Sequence, residues 1–478
     1  MNLFYMYMPT YDVIITNSHI VLPNKIIEKN IVIDEGKIIS ITNDNPQCDI
    51  KINATGLISI PGVIDPHVHY GVYSPIKQAA STESHVAAIG GITSIMRMFR
   101  TTKLFSDVLP SNLSISSNSH YTDYSIHASI FNEQQADEIS YCINHDVMSF
   151  KLYLNLGSGT GKIHMDMDTT TNTIQESIVE MNYDLIKYVI KKAALFNCPV
   201  LVHAEDHELC YHNEKRARSK NTDGLKTWST CRSGSSEALA IKNISELARE
   251  FNCILYFVHI GSIFAMKQIM QEKKKGTKIY VETCPHYLTL SYDTYHDYKA
   301  KVMPPIRSIR DVNYIWNSLS NNEIDTIGTD HVANKLDLKI GKNIWDSLAG
   351  FPGLGTYLSI LLSEGINKNK ISLFQLVKLT STNTAKIFGM HPNKGSLQKN
   401  SDADITLVDL KKEIKVQDID FGGYSDYGVY DDMKLKGWPI KTLLRGKIIA
   451  DNFKVVGTSG YGKIIKRCIT EYQNSHLD

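Results

Sequence analysis

The sequence lacks any run approaching the ~20 apolar residues that a helical membrane span requires, so no helical span is expected. It lacks an excess of either charge as well: 51 basic against 50 acidic residues leave a formal charge of +1. No like-charge block stands out as a nucleic-acid patch, and the densest basic run, Lys273-Lys274-Lys275, reads as a solvated helix end. Cysteine is sparse. Its eight residues (Cys48, Cys142, Cys198, Cys210, Cys231, Cys253, Cys284, Cys468) are scattered without a C-x-x-C pair, which argues against a disulfide framework and for reduced thiols in a cytoplasmic protein. Met1 to Met8 is apolar and aromatic but has neither the basic start nor the full apolar core of a secretory leader. There is no internal repeat. The expectation is a soluble protein with no nucleic-acid or membrane partner.

At 478 residues the chain exceeds one ordinary domain, so a large α/β barrel with an appendage or two to three domains is the prior. Short strand-like runs fill Asp12 to Ile60, with turns at Asn17 and Glu35-Gly36. The pattern resumes after residue 400, in Ala403 to Val408, Ile440 to Arg445 and Lys447 to Ala450. Two distant β-segments around an α/β middle predict one small β-sandwich domain built from residues 1–60 and 396–455, with a tail at 456–478.

Between them, at 61–395, strand-like and helical runs alternate as in a (β/α)8 TIM-like barrel. Eight strands are predicted: Val63 to His69, Ile92 to Phe99, Ser125 to Phe131, Val147 to Tyr153, Pro199 to His203, Ile254 to His259, Lys278 to Glu282 and Asp325 to Asp330. Helices are predicted at Glu133 to Ile143, Leu185 to Phe196, Ser236 to Phe251 and Phe264 to Lys273. Gly157 to Thr173 breaks this rhythm with Gly, Thr and Asp, and reads as a surface insertion or as a lid over the catalytic face.

Six residues at or near strand ends would then meet at one mouth. His67 and His69 are two apart, so both can face the axis and ligate one metal ion. His203 and His259 close the fifth and sixth runs and can supply neutral imidazole to a second. Lys151 is the least obvious member, because an ammonium would be repelled by both ions. Its neutral amine, however, can take up CO2 and become a carbamate, an anionic ligand with an oxygen for each. Taken alone, a strand lysine is more commonly ion-paired or snorkelling, and a lone strand-end histidine more commonly a hydrogen-bonded core residue. Asp330 can bind the first metal and accept a proton from metal-bound water, or else cap a helix. His331 is expected to orient Asp330, and His286 to pack behind the ligands.

The chain resembles the cyclic amidohydrolases, in particular the group of dihydropyrimidinase (hydantoinase), allantoinase and dihydroorotase. The resemblance covers nearly the whole chain. It rests on Pro61 to His69, Ala87 to Thr93, Ser149-Phe150-Lys151, Val202-His203-Ala204-Glu205, Thr283 to Leu288, Met303-Pro304-Pro305-Ile306-Arg307 and Gly328-Thr329-Asp330-His331. Thr380 to Gly389, Asp402-Ala403-Asp404 and Leu444-Arg445-Gly446-Lys447 extend it towards the C-terminus. It implies two divalent metal ions, zinc first among them. His67 and His69 hold the more buried one, His203 and His259 the more exposed one, and carbamylated Lys151 bridges them. Asp330 is both ligand and proton shuttle, and a bridging hydroxide opens a ring amide or imide. The expected activity is dihydropyrimidine or hydantoin ring opening, with a small cyclic amide or ureide as partner. Relatives are commonly tetrameric, so a homo-oligomer, possibly a tetramer in count, is implied.

Departures from the group's pattern bear on the substrate. The tyrosine that dihydropyrimidinases carry five residues after the bridging lysine is Leu156, which cannot donate a hydrogen bond to an oxyanion. Tyr153 lies on the lysine's own side of the strand and is the candidate replacement. The serine before Pro-Pro is Met303, and an asparagine before the later Gly-x-Pro-Gly is Ala349. The arginine that dihydroorotases place two residues after H-x-H is Gly71, while Arg100 falls near their substrate-binding asparagine and could hold an acidic or ureide group. Allantoinase, or another ureide-ring or dihydroorotase-like hydrolase, is the alternative enzyme. A metal-free scaffold of the collapsin response mediator type is the non-enzymatic one, although all six ligand types are present.

Overall fold

The computed structural model describes residues 10–157, 161–169 and 173–469. Parallel strands curl into a closed ring in the order Val63–His69, Ile92–Phe99, Asp123–Ser129, Phe150–Tyr153, Val200–His203, Leu255–Phe257 and Ile279–Thr283, followed by an eighth strand broken in two, Thr326–Ile327 and His331–Val332. The first piece pairs with the seventh strand through Glu282↔Thr326, and the second with the first strand through His331↔Val68. The break at Gly328-Thr329-Asp330 therefore closes the barrel while freeing Asp330 from the ladder. The fold is the TIM-like barrel that the alternating pattern predicts.

The barrel strands are covered on both faces, as parallel strands packed under helices must be. All eight positions of Ile92–Phe99 are buried, the charged Arg97 included. Among the helices between strands, Tyr183–Ala194, Gly234–Glu250 and Ile263–Lys274 start at Asn182, Ser233 and Ser262, whose side chains accept a first-turn N–H. The predicted helix at 133–143 is instead two short ones, Glu133–Asp137 and Ile139–Ile143. Glu138, at their junction, turns its carboxylate to the N–H groups of Phe105 and Ser106.

The two chain ends meet in one continuous nine-stranded sheet, joined where Ile58–Pro61 pairs antiparallel with Ile405–Lys415. Alternate residues Val13, Ile15, Ile31, Ile33, Ile405, Leu407 and Leu443 share its own core. At the seam with the barrel, buried Lys394 places Nζ 2.6 Å from Asp123, 2.9 Å from Asp402 and 2.6 Å from Asp404. The tail runs back along the barrel, where Arg467 donates to the Phe388 carbonyl and to Ser149 Oγ.

The insertion after the fourth strand contains a hairpin, Lys162–Met165 paired antiparallel with Gln175–Ile178. Residues 158–160 and 170–172 of that insertion lie outside the described residues. Behind the hairpin's first strand, Asp166 is buried against the Arg97 guanidinium and the Arg100 N–H, and Met167 N–H donates to the Gly71 carbonyl at 2.7 Å. The hairpin is thus docked on the barrel mouth.

Candidate active site

A cavity of about 790 Å3 opens at the C-terminal ends of the strands, the end of a TIM-like barrel that carries function. Its lining includes His67, His69, Lys151, His203, His259 and Asp330, together with Arg100, Tyr153, Met303 and Ala349. One cluster of metal-ligating type is tight: His67, His69 and Asp330 offer ligand atoms that all lie within 4.8 Å of one another. His67 Nε2 is 3.2 Å from His69 Nε2 and 3.2 Å from Asp330 Oδ1.

Each member is held from behind. His67 Nδ1 is 2.7 Å from Glu282 Oε1, which leaves Nε2 towards His69 and Asp330. The same Glu282 oxygen accepts the His259 N–H at 3.0 Å, and its other oxygen accepts Tyr256 O–H at 2.8 Å. Asp65 takes the N–H groups of His67 and Thr329 and the Thr329 hydroxyl, tying the first strand to the broken eighth. Gly328 has no room for a side chain: a Cβ there would lie 2.8 Å from both Glu282 Oε2 and His67 Cβ. Asp330 and His259 adopt φ of +51° and +45°, a left-handed conformation that costs free energy and persists only where surrounding contacts impose it.

The second group is looser. The rings of His203 and His259 sit 4.7 Å apart edge to face, and His259 stacks on His67 at 5.4 Å. Glu205 Oε2 lies 2.7 Å from His203 Nε2 and is itself clamped by Arg232. Coordination by His203 would therefore run through Nδ1. Burial pushes the Glu205 carboxyl up, but the Arg232 charge and the His203 contact outweigh it and hold the group down at about 2.

Lys151 lies among all of these. It is fully buried, and among the described residues its Nζ has no hydrogen-bond partner. Burial brings its pKa down to about 7 against the pull of Glu282 and Asp330, and its charge acts on His67, His69, His203 and His259 alike. An unpaired ammonium in such a place is costly. A neutral amine, or the anion made from it, suits the surroundings. The donor set fits a metal centre on these grounds: converging imidazoles and a carboxylate, carboxylates behind the rings, and an orphaned buried amine between the two histidine pairs.

Among the substrate candidates, Tyr153 stacks on Phe131 at 5.8 Å, and its ring centroid is 5.3 Å from Lys151 Nζ. Its hydroxyl accepts from Arg100 Nε at 3.1 Å. Arg100 is not on an open surface: Nη2 lies 2.7 Å from His69 Nδ1. Leu156 is buried in the cavity wall. His331 differs from expectation, since it is engaged by Glu83 at 2.8 Å and by the Gly353 N–H rather than by Asp330. His286 packs between Tyr287 and Phe351. Glu282, Asp65 and Arg232 were not singled out from sequence. The available signal was an acid embedded in an apolar strand, as in Ile279-Tyr280-Val281-Glu282 and Val63-Ile64-Asp65.

Known proteins resemble this chain along nearly its whole length. A dihydroorotase of Methanosphaera stadtmanae is 32% identical over 90% of this chain and 93% of its own length. An L-hydantoinase of Paenarthrobacter aurescens is 27% identical over 96% of this chain and 98% of its own. The crystal structure of dihydropyrimidinase from Brevibacillus agri superposes with a TM-score of 0.86 at 28% identity, covering 96% of this chain and 99% of that one. Residues 58–449 match the Amidohydrolase family, a metal-dependent group, and the chain belongs to it.

Proposed function

We propose that this protein hydrolyses a C–N bond of a cyclic amide or imide, with hydantoin and dihydropyrimidine rings as the favoured substrates. The observation that carries this reading is Lys151, a buried amine without a partner among His67, His69, His203, His259 and Asp330. His67, His69 and Asp330 would hold one divalent cation and His203 and His259 the other, with the Lys151 carbamate offering an oxygen to each. A set of imidazoles and carboxylate oxygens suits zinc. When bound, the ions supply polarisation of the ring carbonyl and a water made acidic near neutral pH.

The protein's own groups do the rest. Burial raises the Asp330 carboxyl in the metal-free protein; beside a bound cation it would be held as the carboxylate, the form that takes a proton from water and returns it to the departing ring nitrogen. The Tyr153 hydroxyl, held by Arg100, is the donor placed to replace the absent family tyrosine. Met303 and Ala349 line the same cavity, and in this reading their backbone would meet the ring. Arg100 could in addition bind an acidic or ureide substituent where a ring carries one. The names of the hydantoinase and dihydropyrimidinase relatives support the ring class. A homo-oligomeric, cytoplasmic enzyme is part of the same reading.

The test is a ring-opening screen of the purified, metal-loaded protein on hydantoin, dihydrouracil, allantoin and dihydroorotate, with metal analysis alongside. Turnover of hydantoin or dihydrouracil above the other two is expected, with two ions per chain. Absence of turnover on all four, or a protein that binds no stoichiometric metal, sinks the proposal and favours the scaffold.

A further inference from the structure

Leu336, Leu338 and Ile340 leave 39%, 41% and 38% of their surface exposed, while Lys339 in their midst is fully buried. This inverts the usual preference, in which lysine is almost never buried without a partner. Among the described residues no carboxylate pairs with it. Its Nζ instead donates to three main-chain carbonyls, those of Lys301 at 2.7 Å, Leu348 at 2.6 Å and Gly350 at 2.8 Å. Burial and the nearby Lys301 charge pull its pKa well down, yet three acceptors around Nζ take three N–H donors, which only the ammonium form carries.

The carbonyls belong to two segments that form one wall of the cavity, 301–303 and 348–350. The same segments are joined by the Gly350 N–H to the Lys301 carbonyl at 2.9 Å, and Lys301 Nζ reaches the neighbouring Ser347 carbonyl at 2.6 Å. Gly350 leaves the wall no slack: its φ is +94°, and a Cβ would lie 2.5 Å from Val332 Cγ2. Converging carbonyl dipoles repel one another unless a donor group sits between them, and an apolar replacement would leave the Leu348 carbonyl unsatisfied, with only the Gly350 N–H on the Lys301 carbonyl and the Asn334 side chain on that of Gly350.

We propose that Lys339 is a positioning residue for substrate, an internal cation that gathers these carbonyls and so sets the backbone of Met303 and Ala349 against the ring. Its kinetic readout rests on the ring-hydrolysis reading, but its structural readout does not. It contacts none of the candidate metal ligands, so its loss should alter substrate binding before it alters the metal centre.

Lys339→Met and Lys339→Ala in the full-length, metal-loaded protein test this, with KM, kcat, metal content and amide hydrogen exchange at residues 347–353 as readouts. The expected result is a ~10- to 100-fold rise in KM, little change in kcat, full metal content and faster exchange along 347–353. In Lys339→Ala, ammonium or methylammonium chloride should reverse part of both effects where sodium chloride at equal strength does not. Unchanged KM, a fall in kcat alone, or unaltered exchange overturns the proposal. Should Lys339→Met fail to fold, Lys339→Gln and the alanine variant purified in ammonium carry the same comparison. If the wild type opens no ring, the exchange pattern and its ammonium reversal still decide whether Lys339 sets this wall, separately from the proposed reaction.

Discussion

His67 and Glu282 are joined by a fully buried 2.7 Å contact between ring Nδ1 and carboxylate Oε1. Glu282 thereby fixes both the tautomer and the tilt of the imidazole, and by also accepting the His259 backbone N–H it links the two histidine groups through one carboxylate. Removing such a partner typically costs 10- to 100-fold in metal affinity. Glu282→Leu, close in size but without an acceptor, should lose zinc affinity by about that factor in a chelator competition. Wild-type affinity in that variant would mean the ring is held by packing alone.

Lys151→Ala should abolish ring opening, because it removes the proposed carbamate that would serve both ions. A short carboxylic acid added in excess should restore part of the activity by occupying the vacated space. Full activity without additive would rule out the bridging role. Lys151→Met bears on the apo protein: exchanging a buried, unsatisfied amine for an apolar chain should leave its stability equal or raise it by about 1–3 kcal/mol in denaturant titration.

The barrel is legible in the sequence because each strand is a short apolar run set between helical patterns, a signal that survives without any knowledge of contacts. Likewise His67 and His69 are legible from their spacing taken together with their place at the end of the first strand and the partners at later strand ends. Glu282, Asp65 and Lys339 are not, since each acts through a partner more than 30 positions away or through main-chain carbonyls, and nothing local marks which buried charge has found such a partner. The break in the eighth strand is hidden for a related reason: Asp325 to Asp330 reads as one strand, and only closure on Val68 and His69 shows that Gly328-Thr329-Asp330 leaves the ladder. His331 was misplaced because adjacency to Asp330 says nothing about direction; its neighbours in space are Glu83 and Gly353.

Tyr153 and Arg100 make a prediction that separates chemistry from binding. If the Tyr153 hydroxyl stabilises the oxyanion, Tyr153→Phe should lower kcat by about 100- to 1000-fold with little change in KM. Arg100→Ala should lower kcat/KM most for rings that carry an acidic or ureide group and least for plain dihydrouracil. Equal kcat/KM with the wild type on every active substrate would exclude Arg100 from substrate recognition.

The seam between barrel and end sheet predicts a pH response with a definite sign. Lys394 faces Asp123, Asp402 and Asp404, while Arg445 adds a second cation at Asp123 and Lys37 one at Asp402. Burial pushes the Asp402 carboxyl up, but Lys394 and Lys37 outweigh it and hold it below the usual aspartate range, and Asp123 is held low by Lys394 and Arg445. A depressed carboxyl stabilises the fold above its unfolded pKa, ~3.9 for aspartate, and that stability is lost as pH falls through the lower, folded value. The contribution of Asp123 and Asp402 in the wild type should therefore be flat from neutrality to about pH 5 and fade below pH 4, while Asp404, which burial raises despite Lys394, works in the opposite direction. Lys394→Met leaves three buried carboxylates short of a cation, which should cost about 3–5 kcal/mol at pH 7. It should also reverse the slope. Crowded carboxyls then have folded pKa values above their unfolded ones, so the folded state binds more protons and the variant should gain stability as pH drops from 7 towards 5. Parallel urea-unfolding curves of the two proteins across that interval, with no reversal, would show that Lys394 does not govern the charge of this seam.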